Sequence, residues 1–419
     1  MKSLSIAISI LVGICSIFLL REANIIDLNR FSQNFNSLSI AQLLDCYHST
    51  SDSFKDILNS YTKTDKQTTT TTTTTPSSQE KAPAKQQDQQ EQINPPFFES
   101  HPLDLPPGYH LPNATAMSVS RAIRKVFLAV EQAEGAGARV RRSVGTPQLR
   151  NFSPFLMLDH FSIKPGAGFP DHPHRGQETI TYLLSGGVDH EDFAGNKGTI
   201  NAGDLQFMTA GRGIMHAEMP RQNPDGSANV GLQLWVDLPK HLKKCEPRYR
   251  DLRASEIPSV DIDDGKVHVK VISGQSHGID SVKDLAYTPV WILDVEVKPG
   301  GKIAQPLPQG WNAFAYTLEG QVIFGKAGEE QRVVEQYHNV VFEPEGEVVH
   351  ASVDPSAEKS ARFVFVAGTP LDQKVVQYGP FVLNSQEEVY QAFMDYQSHS
   401  NGFERAKGWQ SEIGKSMMH

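Results

Sequence analysis

A length of 419 residues exceeds one ordinary domain, and 39% hydrophobic with 21% charged residues is the composition of a soluble globular protein able to bury a sizeable core. The net charge of -9 excludes unaided nucleic-acid binding, because a phosphate backbone needs a clustered basic face to displace its counterions. Cys15, Cys46 and Cys245 are scattered and form no CxxC, which excludes a disulfide framework in the core and a thiolate metal site, leaving histidine and carboxylate as candidate ligands.

Residues 1–22 contain the apolar run Leu4 to Leu20, flanked by Lys2 and Arg21. It has no polar face to show water, so a buried core helix is a poor reading. A signal anchor, a cleaved signal peptide and a non-native extension all remain open, and the first two would target the chain to a membrane or the secretory route. Residues 23–115 form a Thr/Gln-rich linker that includes eight consecutive threonines, Thr68 to Thr75. Such a stretch buries too little apolar area to offset its ordering entropy, so it is expected to be largely disordered. Asn113 and Asn151 open glycosylation sequons, which matter only in a lumenal protein.

From about Ser118 the pattern changes to short apolar or alternating runs, TITYLLSGG, LQFMTAG, GLQLWVDL and KVHVKVISG, punctuated by Gly, Asp-Gly and Pro. Many closely spaced short strands predict an all-β fold of sandwich or barrel type. Helical spacing is confined mostly to SQEEVYQAFMDYQS, capped by Ser385. Two stretches align on their tyrosines, GFPDHPHRGQETITYLLSGG from Gly168 and GKIAQPLPQGWNAFAYTLEG from Gly301. This predicts two tandem antiparallel β-barrels of jelly-roll type with a short C-terminal helix, one barrel in residues 116–250 and one in 251–419. Where the first copy has His172 and His174, the second has Gln305 and Leu307, so one metal per chain is expected.

His172-Pro173-His174 places two imidazoles at i and i+2, which on a strand share a face. His216-Ala217-Glu218 repeats that geometry with an imidazole and a carboxylate. If the two segments are neighbouring strands, four donors converge and leave open positions. This donor set suits Fe, Mn, Ni or Zn better than Ca or Mg, and open positions imply catalysis or ligand sensing.

The run GFPDHPHRGQETITYLLSGGVDHEDFAGNKGTINAGDLQFMTAGRGIMHAEMP resembles the signature of the pirin family, bicupins of the cupin superfamily. FLMLDHF, PLPQGWNAFAYTLEG, YGPFVLN and NGFERAKGWQSEIG extend the resemblance over roughly Ser118 to Lys415. It implies one iron ion (Fe2+/Fe3+) per chain, other divalent transition metals being alternatives, held by His172, His174, His216 and Glu218. It implies either of two functions: a quercetin 2,3-dioxygenase-like enzyme that opens a flavonol ring with dioxygen, or a metal- and redox-sensing transcriptional cofactor acting through a protein partner. In the enzyme, Glu218 would be the catalytic proton acceptor, and Phe169, Phe207 and Met208 would wall a flat aromatic substrate. The family's location is cytoplasmic and nuclear, at odds with the apolar start, and a bicupin that closes its own barrel pair is expected to be a monomer. Glu178 reads as a wall or supporting carboxylate, His160, His190 and His350 as structural, and Arg175 and Arg212 as structural pairs or anion holders.

Overall fold

The computed structural model describes residues 118–283 and 285–415. The apolar run, the linker, Asn113, Cys15 and Cys46 lie outside the described residues.

The described chain folds as two jelly-roll-like sandwiches, each a seven-stranded sheet with a four-stranded sheet. In the first half the large sheet runs in the order Arg248–Leu252, Leu205–Thr209, Gln177–Ser185, Asn229–Asp237, Phe155–Ile163, Ala138–Val144, Glu131–Glu134. Its small sheet runs Phe169–His174, Ile214–Pro220, Gly187–Asp192, Lys197–Asn201. The second half repeats the plan. Its large sheet runs Ile123–Leu128, His338–Phe342, Asn312–Glu319, Ala361–Gly368, Val290–Val297, Val267–Ser273, Ser259–Ile262, and its small sheet Lys302–Pro306, Val348–Ser352, Gln321–Phe324, Arg332–Glu335. Named strand pairs are antiparallel, as expected for an all-β jelly-roll pair.

The apolar runs are nearly continuous because both faces of each large sheet are buried. Along Gln177–Ser185, Ile180 and Tyr182 join a central core with Phe155, Phe314, Tyr316 and Val364, in which the two large sheets meet. The alternate residue Leu183 packs inside the first sandwich with Val140, Phe161 and Ile163. Phe155 meets Phe314 edge-on at 5.3 Å, and Tyr182 donates to Asp294 across the same seam at 2.7 Å.

A division of the chain at residue 250 is a division in sequence that the fold crosses in both directions. Strand Ile123–Leu128, which precedes the first sandwich, pairs with His338–Phe342 as an edge of the second. The C-terminal helix Gln386–Ser398 returns to the first half: Val389 and Ala392 share a cluster with Phe381, Phe403 and Met215. Ser385 caps this helix, accepting from the Glu388 amide at 3.2 Å. Arg175 ties the returning segment to the first small sheet through a buried ion pair with Asp395 at 2.7 Å and a bond to the Asn401 carbonyl at 2.6 Å. Gly176 at φ +80° makes the close approach to the Val382 carbonyl feasible, because a Cβ there would collide with that oxygen.

Candidate metal centre

Strands Phe169–His174 and Ile214–Pro220 are hydrogen-bonded neighbours, and their register sets His172 directly opposite His216. The condition on which convergence of the donors rested is therefore met for the three imidazoles. A ring nitrogen from each of His172, His174 and His216 lies within 4.8 Å of the others, and His172 Nε2 and His216 Nε2 are 3.0 Å apart. Two nitrogens bound cis to one ion at about 2.1 Å would be about 3.0 Å apart, so the spacing fits a single transition-metal ion. His174 and His216 are fully buried and His172 is partly exposed, which leaves the cluster open on one side.

Each ring is held from behind through Nδ1. His172 Nδ1 lies 2.8 Å from the Pro170 carbonyl, which can only accept, so Nδ1 carries a proton and the neutral ring has its lone pair on Nε2. His216 Nδ1 lies 2.9 Å from the Tyr249 hydroxyl, and His174 Nδ1 lies 2.8 Å from the Gln177 amide. Burial first, and the neighbouring His172 ring second, push His174 and His216 well below the usual histidine range, so both imidazoles are neutral. Neutral rings with their outer nitrogens engaged are the form in which histidine binds metal. The donor set thus fits a metal ion. Tyr249 also stacks on His190 at 5.9 Å, and His190 bonds Asp251 at 2.9 Å, so an outer layer of side chains supports His216.

Glu218 stands apart from the three-nitrogen group. A register shift between His216 and Glu218 puts Glu218 opposite Phe169, and its carboxylate accepts from Thr181 at 3.2 Å and Gln233 at 2.9 Å. It still faces the same open cleft of about 930 Å³, which His172, His174, Trp235, Met157 and Phe169 also line. Phe169 is a wall residue as expected. Phe207 and Met208 are not: both are buried in core clusters behind the cleft. The strand LQFMT is buried at all five positions, so its alternation carries no sign of which side chains see the cavity.

The other residues singled out in the sequence are structural. Glu178 turns to the second half, where its carboxylate accepts from Thr209 and from the Tyr287 and Thr288 amides, and burial pushes its pKa up. His160 meets the Tyr316 hydroxyl at 3.1 Å. Arg175 is committed to Asp395, and Arg212 pairs with Glu246 at the surface. His350 bonds Ser120, and the register puts Val349, not His350, opposite Gln305, so His350 is one residue out of step with His216. The sequence reading missed Gln177 and Tyr249. Gln177 lies three residues past His174, within sight of local inspection, whereas Tyr249 comes from a distant strand.

Fold and site together define a bicupin with one three-histidine centre among the described residues. The first half matches the Pirin family model over residues 137–236, and the second matches the Pirin C-terminal cupin domain over residues 292–402. Pirin of Homo sapiens is 48% identical over 299 residues, covering 71% of this chain and 100% of its own. A pirin-like protein of Solanum lycopersicum is 47% identical over 299 residues, covering 71% and 99%. The chain belongs to the pirin family. A crystal structure of quercetin 2,3-dioxygenase from Acinetobacter baumannii superposes with a TM-score of 0.61 at 28% identity, covering 67% of this chain and 98% of that one.

Proposed function

We propose that the protein is an iron-dependent dioxygenase of quercetin 2,3-dioxygenase type acting on a flavonol-class aromatic. His172, His174 and His216 hold one iron ion per chain, and Glu218 serves as fourth donor and proton acceptor. The observation that carries the reading is the convergence of three imidazoles, two of which, His172 and His174, line an open cleft of about 930 Å³, within the size range of small-molecule sites. The likeness to the Acinetobacter baumannii enzyme supports it. When bound, iron would supply Lewis acidity and redox chemistry toward dioxygen.

The chain's own residues account for binding and proton handling. Trp235, Met157 and Phe169 offer apolar surface to a flat ring system. Four carboxylates line the cleft, and three are already engaged: Asp159 and Glu134 with Arg142, and Asp171 with Ser411. Asp171 and Glu218 are held by neutral donors, and of the two Glu218 lies on the strand of His216, two residues further on. That makes it the carboxylate placed to take the proton of a flavonol hydroxyl. Dioxygen is the oxidant, and one ring carbon leaves as carbon monoxide, so no external reductant is required.

The test is anaerobic loading of the full-length protein with ferrous iron, followed by oxygen uptake with quercetin beside a His172→Ala control. One iron per chain and oxygen consumption matched to flavonol loss are expected, with neither in the control. Failure to take up iron would sink the reading. Iron binding without turnover of quercetin would move it to a non-enzymatic, metal-responsive protein acting through a protein partner.

A further inference from the structure

The outer nitrogen of His174 meets one hydrogen-bonding group, the side-chain amide of Gln177, with Gln177 Nε2 2.8 Å from His174 Nδ1. Gln177 is fully buried, and its other amide atom, Oε1, has no hydrogen-bond partner. A half-turn of the amide exchanges oxygen for nitrogen, and the two are told apart by the bonds they make. With nitrogen toward the ring, the amide donates to Nδ1, and the neutral imidazole must carry its proton on Nε2. That form cannot ligate through Nε2. With oxygen toward the ring, Nδ1–H donates to Oε1 and the Nε2 lone pair is free. The first orientation leaves Oε1 unpaired in the core, at about 1–3 kcal/mol, a cost that does not by itself choose between them. A metal ion does, because it requires the second.

We propose that Gln177 is the positioning residue of His174: its Oε1 accepts from His174 Nδ1–H and thereby holds the ring with Nε2 available to the ion. The geometry around the other two rings is consistent with this assignment. The Pro170 carbonyl fixes His172 in the same tautomer, and the Tyr249 hydroxyl, able to donate or accept, permits it for His216. Backbone bonding anchors Gln177 itself, since its carbonyl accepts from the Ala210 amide at 2.9 Å and its strand lies beside Asn229–Asp237. The neighbouring residue Glu178 faces away, toward Tyr287 and Thr288, as strand alternation requires.

The inference rests on reading the histidine cluster as a metal site, and its test uses zinc(II), which needs no oxygen chemistry. Zinc affinity is measured on the full-length protein by competition with a chromophoric chelator. Gln177→Leu, which cannot accept, is expected to bind zinc about 10–100-fold more weakly. Gln177→Glu, which can only accept, is expected to match or exceed the parent. In the zinc-loaded parent, nitrogen-15 NMR is expected to show a slowly exchanging His174 Nδ1 proton, a readout that needs no variant to fold. Gln177→Leu with parental affinity, equal weakening in both variants, or a rapidly exchanging Nδ1 proton would overturn the assignment. Absence of zinc binding by the parent would instead overturn the metal reading on which it stands. A protein that binds zinc through Gln177 yet consumes no oxygen with quercetin would retire only the oxygenase.

Discussion

The two halves share one sheet order and differ inside. In the first, His172 faces His216, and His174 stands beside them. In the second, Gln305 faces Val349, and Leu307 fills the place of His174. Gln305 is satisfied by Ser276, Gln275 and its own neighbour Pro306, while Leu307 and Val349 pack with Trp311, Phe324 and Phe342. The same strand pair thus supports either a polar cluster beside a cleft or a closed apolar core. Three side chains decide between them, because a jelly roll positions inward-facing residues by register, whatever their chemistry.

Making the first half resemble the second is the strongest way to break the comparison. The triple variant His172→Gln, His174→Leu, His216→Val is expected to take bound metal from one equivalent per chain to none, read by elemental analysis after dialysis, with the β circular-dichroism signal retained. A retained equivalent would locate the ion elsewhere. A smaller effect tests whether the halves are thermodynamically separate. Phe314 is fully buried against Phe155 and Phe152 in the core they share. Phe314→Ala is expected to cost about 3–5 kcal/mol in equilibrium denaturation, with a single transition still reporting both halves. A loss confined to one of two resolved transitions would show that the central core does not couple them.

Much of this comparison was legible in sequence, and the illegible parts have physical causes. The duplication, the strand-rich core and the capped helix follow from local patterns: period-two runs, turn residues and a serine before an amphipathic stretch. That the two strands pair was only a condition, but the spacing of two donors along each of them was legible at i, i+2. The exchange of Ile123–Leu128 into the second half was not, since pairing with His338–Phe342 is a long-range event that leaves no local mark. Nor was the shift at Glu218, because a bulge alters facing without altering spacing. Phe207 and Met208 were misplaced for a related reason: a strand buried on both faces shows no polar alternate to orient it. Tyr249 could be recognised only once the strand Arg248–Leu252 was known to lie beside Leu205–Thr209.

The smallest expected effect sharpens the seam where the halves meet. His160, on the first large sheet, bonds the Tyr316 hydroxyl of the second and lies edge-on to that ring at 5.7 Å. Burial first, and the Arg141 guanidinium second, hold its pKa down at about 4, against an ordinary 6.5. A base whose folded pKa is depressed takes its proton more readily when unfolded. Its contribution is therefore fully present above pH 6.5 and is lost as pH falls from 6.5 toward 4. At 1.36 kcal/mol per pH unit the loss is on the order of 3 kcal/mol. His160→Gln has no proton to gain, so the difference in unfolding free energy between parent and variant should shift against the parent by that amount between pH 7 and pH 4. Taking the difference cancels the other titrating groups that the two proteins share. Parallel stability curves across that range would show that the seam admits a charged imidazole, and that the halves are joined more loosely at His160 than at Phe314.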